Sequence, residues 1–232
     1  MVGVELPRIM SSQPPSRQPD TSAPAGPARR WLAISLIAAA AAACSSTPAP
    51  TTYDLSAPNV RVGGSVSGQI VVATPAAVQV LADQRILVKD AAGSISFLGG
   101  GQWADQLPNL VQARLIHTFE NASRLTAVAR PSSGVVADYQ LVSEIRSFYV
   151  TTPANEAVVQ ISAKLVADQN GRVLSGRVFT GRAPVPTVDA ANAAQALDQA
   201  LSSVLVDIVR WSSRGVAVSE AEKVTENEKR GT

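Results

Sequence analysis

The cysteine Cys44 is the residue of this chain whose type and position most clearly imply chemistry. It closes the run Trp31 to Cys44, WLAISLIAAAAAAC, which follows Arg29-Arg30 and precedes Ser45-Ser46. Basic residues, a short apolar run and small residues before a cut site are the parts of a secretory signal peptide. With cysteine directly after the cut, Ala41-Ala42-Ala43 occupies the position of a bacterial lipobox, although a leucine is usual where Ala41 stands. Cys44 is then the expected lipidated first residue of the mature protein. The competing readings are a signal cleaved without lipidation and an Ala-rich helix of the folded domain. Cys44 is the only cysteine, so no intramolecular disulfide can form and a thiol enzyme has little to work with.

The remaining chemical candidates are weaker. His117 is the only histidine, and a lone histidine at the edge of an apolar stripe reads as a surface or capping residue. Leu98 to Trp103, LGGGQW, lacks the Lys-Ser/Thr of a P-loop and the spacing of a dinucleotide fingerprint, and reads as a flexible turn. No Ser/His/Asp arrangement, carboxylate pair or metal-ligand cluster is visible. The expectation is a protein with no catalytic residues, no metal and no cofactor.

Charge points the same way once the leader is set aside. The whole chain carries 20 basic and 18 acidic residues. Residues 1–43 hold Arg8, Arg17, Arg29 and Arg30 against Glu5 and Asp20, so 16 of each sign remain after Cys44. A neutral domain with scattered charges has no footprint for nucleic acid. The apolar run before Cys44 falls short of the roughly 20 residues that cross a bilayer as a helix, so the expectation is translocation and anchoring. Met10 is an alternative start to Met1.

These features need a domain behind them. Residues 1–43 are assigned to signal peptide and N-terminal extension, and 44–52 to the lipidated cysteine and a Pro/Ser/Thr tether. Residues 53–215 are the folded domain. Residues 216–232, charged and without periodicity, are assigned to a disordered tail. Strands are expected at Gly68–Ala73, Arg85–Lys89, Ser94–Leu98, Leu125–Ala129, Asp138–Val150, Ala157–Ala167 and Val173–Arg182. In the longest, alternation places Tyr139, Leu141, Ile145 and Tyr149 on one face. Asp168 to Gly171, with Asn-Gly, reads as a hairpin turn. One helix is expected within Trp103–Asn121, regular from Leu107 because Pro108 suits only a helix start. Arg114 falls within its apolar stripe and must snorkel or pair. A second is expected over Thr187–Ser213, with Thr187 as N-cap, an apolar stripe from Ala190 to Trp211, and Gly215 as its stop. The fold class is therefore α+β: a single domain with an antiparallel sheet packed by two main helices, after a cleaved signal peptide.

Several stretches in this order carry a family resemblance: YDLSAP after the tether, DQRILVKD, QWADQLPNLVQARLIHTFEN, DYQLVSEIRSF, and the final Ala-rich helix. Together, over roughly Tyr53 to Trp211, they resemble the ABC-type transport auxiliary lipoprotein family, the paraquat-inducible protein C-like group. The resemblance implies a non-catalytic lipoprotein component of an MCE-type system that moves phospholipid between inner and outer membranes. The implied partners are outer-membrane lipid through the Cys44 anchor, an MCE-domain protein and an ABC permease/ATPase complex. Direct phospholipid binding and a homo-oligomer stay open. Ser45, next to Cys44, is not the aspartate that retains lipoproteins in the inner membrane, so the expected address is the periplasmic face of the outer membrane. The best guesses for a docking surface are Trp103, Phe148 and Tyr149, each weighed against a place in the core. The alternative function is an envelope structural or activator lipoprotein contacting peptidoglycan synthesis or secretion machinery.

Overall fold

A computed structural model describes residues 49–59, 68–122 and 127–230; Cys44 and the segment before it lie outside them, as does the start of the strand expected at Leu125. The elements run β1 (Thr51–Tyr53), β2 (Gln69–Val72), β3 (Ala76–Ala77), β4 (Arg85–Lys89), β5 (Ile95–Trp103), α1 (Leu107–Asn121), β6 (Ala127–Ala129), β7 (Tyr139–Thr151), β8 (Glu156–Ala167), β9 (Val173–Pro184) and α2 (Ala190–Arg230). The fold is α+β, a mixed sheet packed by two helices.

β7 is the spine of the sheet. Along one edge it pairs antiparallel with β8 over its whole length, and β8 pairs antiparallel with β9. Along the other edge it takes β2, β3 and β4 in succession, each parallel. β6 extends the sheet beyond β2, β5 beyond β4, and β1 beyond β5. The meander β7–β8–β9 is thus the expected antiparallel part, and the short N-terminal strands add parallel pairings at its flank.

Alternation sets the buried face. Tyr139, Leu141 and Ile145 of β7 and Val159, Ile161, Ala163 and Leu165 of β8 are all buried, as period-two patterning requires. The register of β7 then shifts between Ile145 and Ser147. The extra residue of such a bulge moves later side chains to the other face. Phe148 and Val150 consequently turn into the core. Tyr149, expected on the inner face with Ile145, comes out on the opposite one, where the Lys89 ammonium lies 5.2 Å from its ring centroid.

α1 buries Leu107, Leu110, Val111, Leu115 and Phe119, the expected stripe. α2 buries Ala194, Leu197, Leu201, Val204 and Ile208 with the alanines between them. Both helices contribute to one continuous hydrophobic core. α2 sits unusually close to the sheet because β9 has no side chain under it at Gly181. A Cβ there would lie 2.1 Å from the Ala200 carbonyl oxygen and 2.7 Å from the Ser203 Oγ.

Three expectations are corrected here. LGGGQW is not a turn but the second half of β5. A Cβ on Gly101 would lie 2.6 Å from the Ala190 Cβ and 2.7 Å from the Tyr53 ring, so this glycine serves close packing rather than flexibility. The N-cap of α2 is Asp189, not Thr187: its carboxylate accepts the Asn192 backbone N–H at 2.9 Å and the Asn192 side chain at 2.7 Å. The backbone bond from Asn192 comes first among the contacts that hold the Asp189 carboxyl below its ordinary value. Finally, α2 does not stop at Gly215 but continues to Arg230, a length of about 60 Å at 1.5 Å per residue. Gly215 brings the helix against Leu165, whose Cδ2 would lie 2.9 Å from a Cβ there. Beyond it Val216 and Ser219 are buried, and the Tyr139 hydroxyl donates to Glu220. The region assigned to a disordered tail therefore begins as packed helix.

Gly181→Val should lower stability by about 3 kcal/mol or more, the upper end for overpacking, because the obstacle is backbone. Gly176→Ala on the same strand, where a Cβ meets nothing nearer than 3.6 Å, should be close to neutral. Urea unfolding of the two variants measures the contrast.

Candidate functional site

The first residues of the domain are held by all the layers at once. In YDLSAP, Tyr53 ends β1 and its ring lies over Gly101. The Asp54 carboxylate accepts two hydrogen bonds from the Arg114 guanidinium of α1, at 2.6 and 2.5 Å. Leu55 is buried in the core. Ser56 donates from both its backbone N–H and its hydroxyl to the Asp198 carboxylate of α2, each at 2.6 Å. Four successive residues thus reach β5, α1, the core and α2. This answers the question posed by Arg114 within an apolar stripe: it pairs. Burial works to raise the Asp54 pKa, but the Arg114 hydrogen bond, the Leu55 N–H and the Arg114 and His117 charges outweigh it, so the carboxyl titrates below its ordinary value.

The expected docking residues divide. Trp103 and Phe148 are 1% exposed and meet edge-to-face, with centroids 5.7 Å apart. They are core residues and cannot contact a partner, which corrects that assignment: Trp103 ends β5 beneath the helices, and the β7 bulge turns Phe148 inward. Tyr149 stays half-buried on the outer face of the sheet beside Lys89. Cys44 lies outside the described residues.

Tyr149 borders an apolar surface that sequence alone did not single out. Lys89 pairs across the hairpin with Ile95, and Leu87 with Phe97. Ile95 is 44% and Phe97 45% exposed. The Arg85 guanidinium stacks on Phe97, 3.4 Å from the ring centroid, and bonds in turn to Asp83 at 2.6 Å. The Arg85 hydrogen bond is the leading reason the Asp83 carboxyl is held below its ordinary value. β1 covers only Gly101 to Trp103 of β5, so the outer edge of Ile95 to Gly100 has no strand partner among the described residues. An apolar strand with a free edge, rimmed by Arg85 and Lys89, is a surface able to accept an extended segment of another chain by backbone pairing. The signal in the sequence was SISFL, where apolar residues alternate on a strand that no later strand among the described residues pairs along its outer edge. Among the described residues β9 also has an edge without a strand partner, but Arg177 and Arg182 along it guard against pairing.

His117 is exposed, its Nδ1 3.4 Å from an Arg114 nitrogen. Among the described residues no group of three or more histidine, cysteine or acidic side chains could hold a metal ion, and no helix is long and apolar enough to cross a membrane.

The domain is clasped at its first residues and leaves one apolar strand edge without a strand partner among the described residues. The chain belongs to the family of ABC-type transport auxiliary lipoprotein components, whose model matches residues 53–209. An uncharacterized protein of Bradyrhizobium diazoefficiens is 36% identical over 167 residues, covering 69% of this chain and 44% of the relative. This chain therefore spans less than half the length of that relative. The crystal structure of a Xanthomonas campestris protein superposes with a TM-score of 0.69 at 27% identity, covering 74% of this chain and 99% of that one. Another solved structure, also of an uncharacterized protein, shares the fold with a TM-score of 0.57 at 15% identity, over 69% of this chain and 97% of the other.

Asp54→Asn should lower stability at pH 7 by about 1 kcal/mol or less, since the carboxylate is exposed. The native pKa is depressed, so the stabilisation is present above the unfolded value of about 3.9 and is lost as pH falls through the native one. The difference between wild type and variant, followed by thermal unfolding, should therefore shrink below about pH 4.

Proposed function

We propose that this chain is the accessory lipoprotein of an MCE-type ABC system that moves phospholipid between the two membranes, and that it acts by docking rather than by chemistry. In this reading Cys44 is lipidated and holds the protein on the periplasmic face of the outer membrane, and the partners are an MCE-domain protein and the permease/ATPase complex. Membership of an ABC-transport auxiliary family supports the setting. The observation that carries the docking role is the free apolar edge of β5.

The position of that edge supports the reading. β1 runs parallel to β5 with Thr51 opposite Gly101, so the chain before Thr51 approaches from the Gly100 end. Extended, Cys44 to Thr51 spans at most about 25 Å. The tether would thus keep the open edge close to the anchoring membrane. Three acyl chains on a mature lipoprotein would fix it there, since each buried CH₂ contributes about 0.8 kcal/mol and one chain alone binds only marginally. The YDLSAP clasp joins that tether directly to both helices, so the domain is held from its first residue.

Phe97→Asp places a carboxylate on the free edge without touching the core. The variant should stay folded and stay anchored, but recover at least about tenfold less of the MCE-domain protein in a pull-down from membranes. Equal recovery would remove β5 as the docking edge. Absence of any MCE or permease component with wild-type protein would count against the transport reading itself. Cys44→Ala should release the protein from the membrane fraction, measured by fractionation.

A further inference from the structure

α2 is seated tightly on β9 at Gly181, but the start of β9 and the later turns of α2 enclose a cleft of about 650 Å³. This lies within the roughly 300–1,000 Å³ of small-molecule sites. Its walls are of two kinds. Arg172 and Arg177 from the strand side and Arg214 from the helix bring three guanidinium groups to the cleft, against the single carboxylate of Glu222. Among the described residues none of these three arginines forms an ion pair. Arg177 is held over the Phe179 ring, 5.3 Å from its centroid, and Phe179 packs edge-on against Trp211 at 5.5 Å. Ser175 and Ser219 add hydroxyls, and the apolar part of the lining is Leu174, Trp211 and the valines Val173 and Val218, which are 55% and 60% exposed.

A domain whose mature sequence is neutral thus gathers a net positive charge beside exposed apolar side chains. Guanidinium groups recognise phosphate oxygens through paired, charge-assisted hydrogen bonds. An indole beside them suits the boundary between a polar headgroup and hydrocarbon. Inorganic phosphate would use the arginines and leave the valines and Trp211 wet. An acidic peptide would satisfy the charge but would leave Trp211 and Val218 without a hydrocarbon partner. We infer that the cleft binds an anionic phospholipid, its phosphate on Arg177 and Arg214 and the first part of its acyl chains along Trp211, Val218 and Leu174. The choice of a phospholipid among anionic amphiphiles rests on the transport reading above; the cleft and its charge do not.

The test titrates the full chain with dioctanoyl phosphatidylglycerol below its micelle concentration, following tryptophan fluorescence and, in parallel, heat. A saturable shift is expected with wild type. In Arg177→Gln/Arg214→Gln the dissociation constant should rise by about tenfold or more. Trp211→Phe should abolish the fluorescence change while the heat of binding persists. Dioctanoyl phosphatidylcholine should bind distinctly more weakly. Unchanged affinity in the double variant, with circular dichroism showing both proteins folded, would overturn the assignment. Equally effective occupation by inorganic phosphate or by polyglutamate would overturn the lipid as ligand. No transport partner is present, so a negative result here leaves the docking of β5 standing, and a failed pull-down leaves the cleft standing.

Discussion

The approach of α2 to the sheet at Gly181 is the constraint on which the rest of the domain depends. The Ala200 carbonyl lies where a side chain on β9 would be, so helix and strand touch through backbone. At that separation alanines suffice to fill the interface, which is why Ala193, Ala194, Ala196 and Ala200 are all buried. The same closeness recurs at Gly101, against Ala190. Two glycines on two distant strands therefore fix where the first turns of a long helix lie. That seat sets the remaining packing: the core fills from β7 and β8, and the later turns of α2 stand off from the start of β9 and leave the cationic cleft.

The N-terminal clasp joins this packing to the tether. Asp54 and Ser56 are two residues apart, yet one pairs with α1 and the other with α2, while Leu55 between them enters the core. Each polar contact alone is modest, since both are exposed to solvent, where an ion pair contributes about 1 kcal/mol or less. Their arrangement matters more than their sum. A load applied through the tether would meet β5, both helices and the core together rather than fraying a single strand.

Much of the fold was legible because period and turn chemistry agreed. The strands Arg85–Lys89 and Ala157–Ala167, the helix start at Leu107 and the apolar stripe of α2 all follow from alternation, proline placement or helical spacing. Where the reading failed, a tertiary contact had taken over a local signal. Three consecutive glycines resemble a turn until Ala190 and Tyr53 are placed over Gly101. Gly215 resembles a stop until Leu165 and the Tyr139–Glu220 bond carry the helix onward. The β7 bulge exchanged the faces of Phe148 and Tyr149, and no residue in RSFYV announces an extra residue in a ladder. The proposed docking edge was half legible: the alternation of SISFL marks a strand, but only the sheet order shows that its outer edge has no strand partner among the described residues. The cleft was not legible at all, since Arg172 and Arg177 meet Arg214 only through the packing of α2.

The central claim is that β5 between Ile95 and Gly100 is the surface a partner covers. Amide hydrogen exchange, measured by mass spectrometry on the full chain alone and in its purified membrane complex, tests it most directly. Slowed exchange confined to Ser96 through Gly100 and the adjoining hairpin is the predicted result. Unchanged exchange there, with protection appearing on β9 or on the outer face of α2 instead, would contradict it.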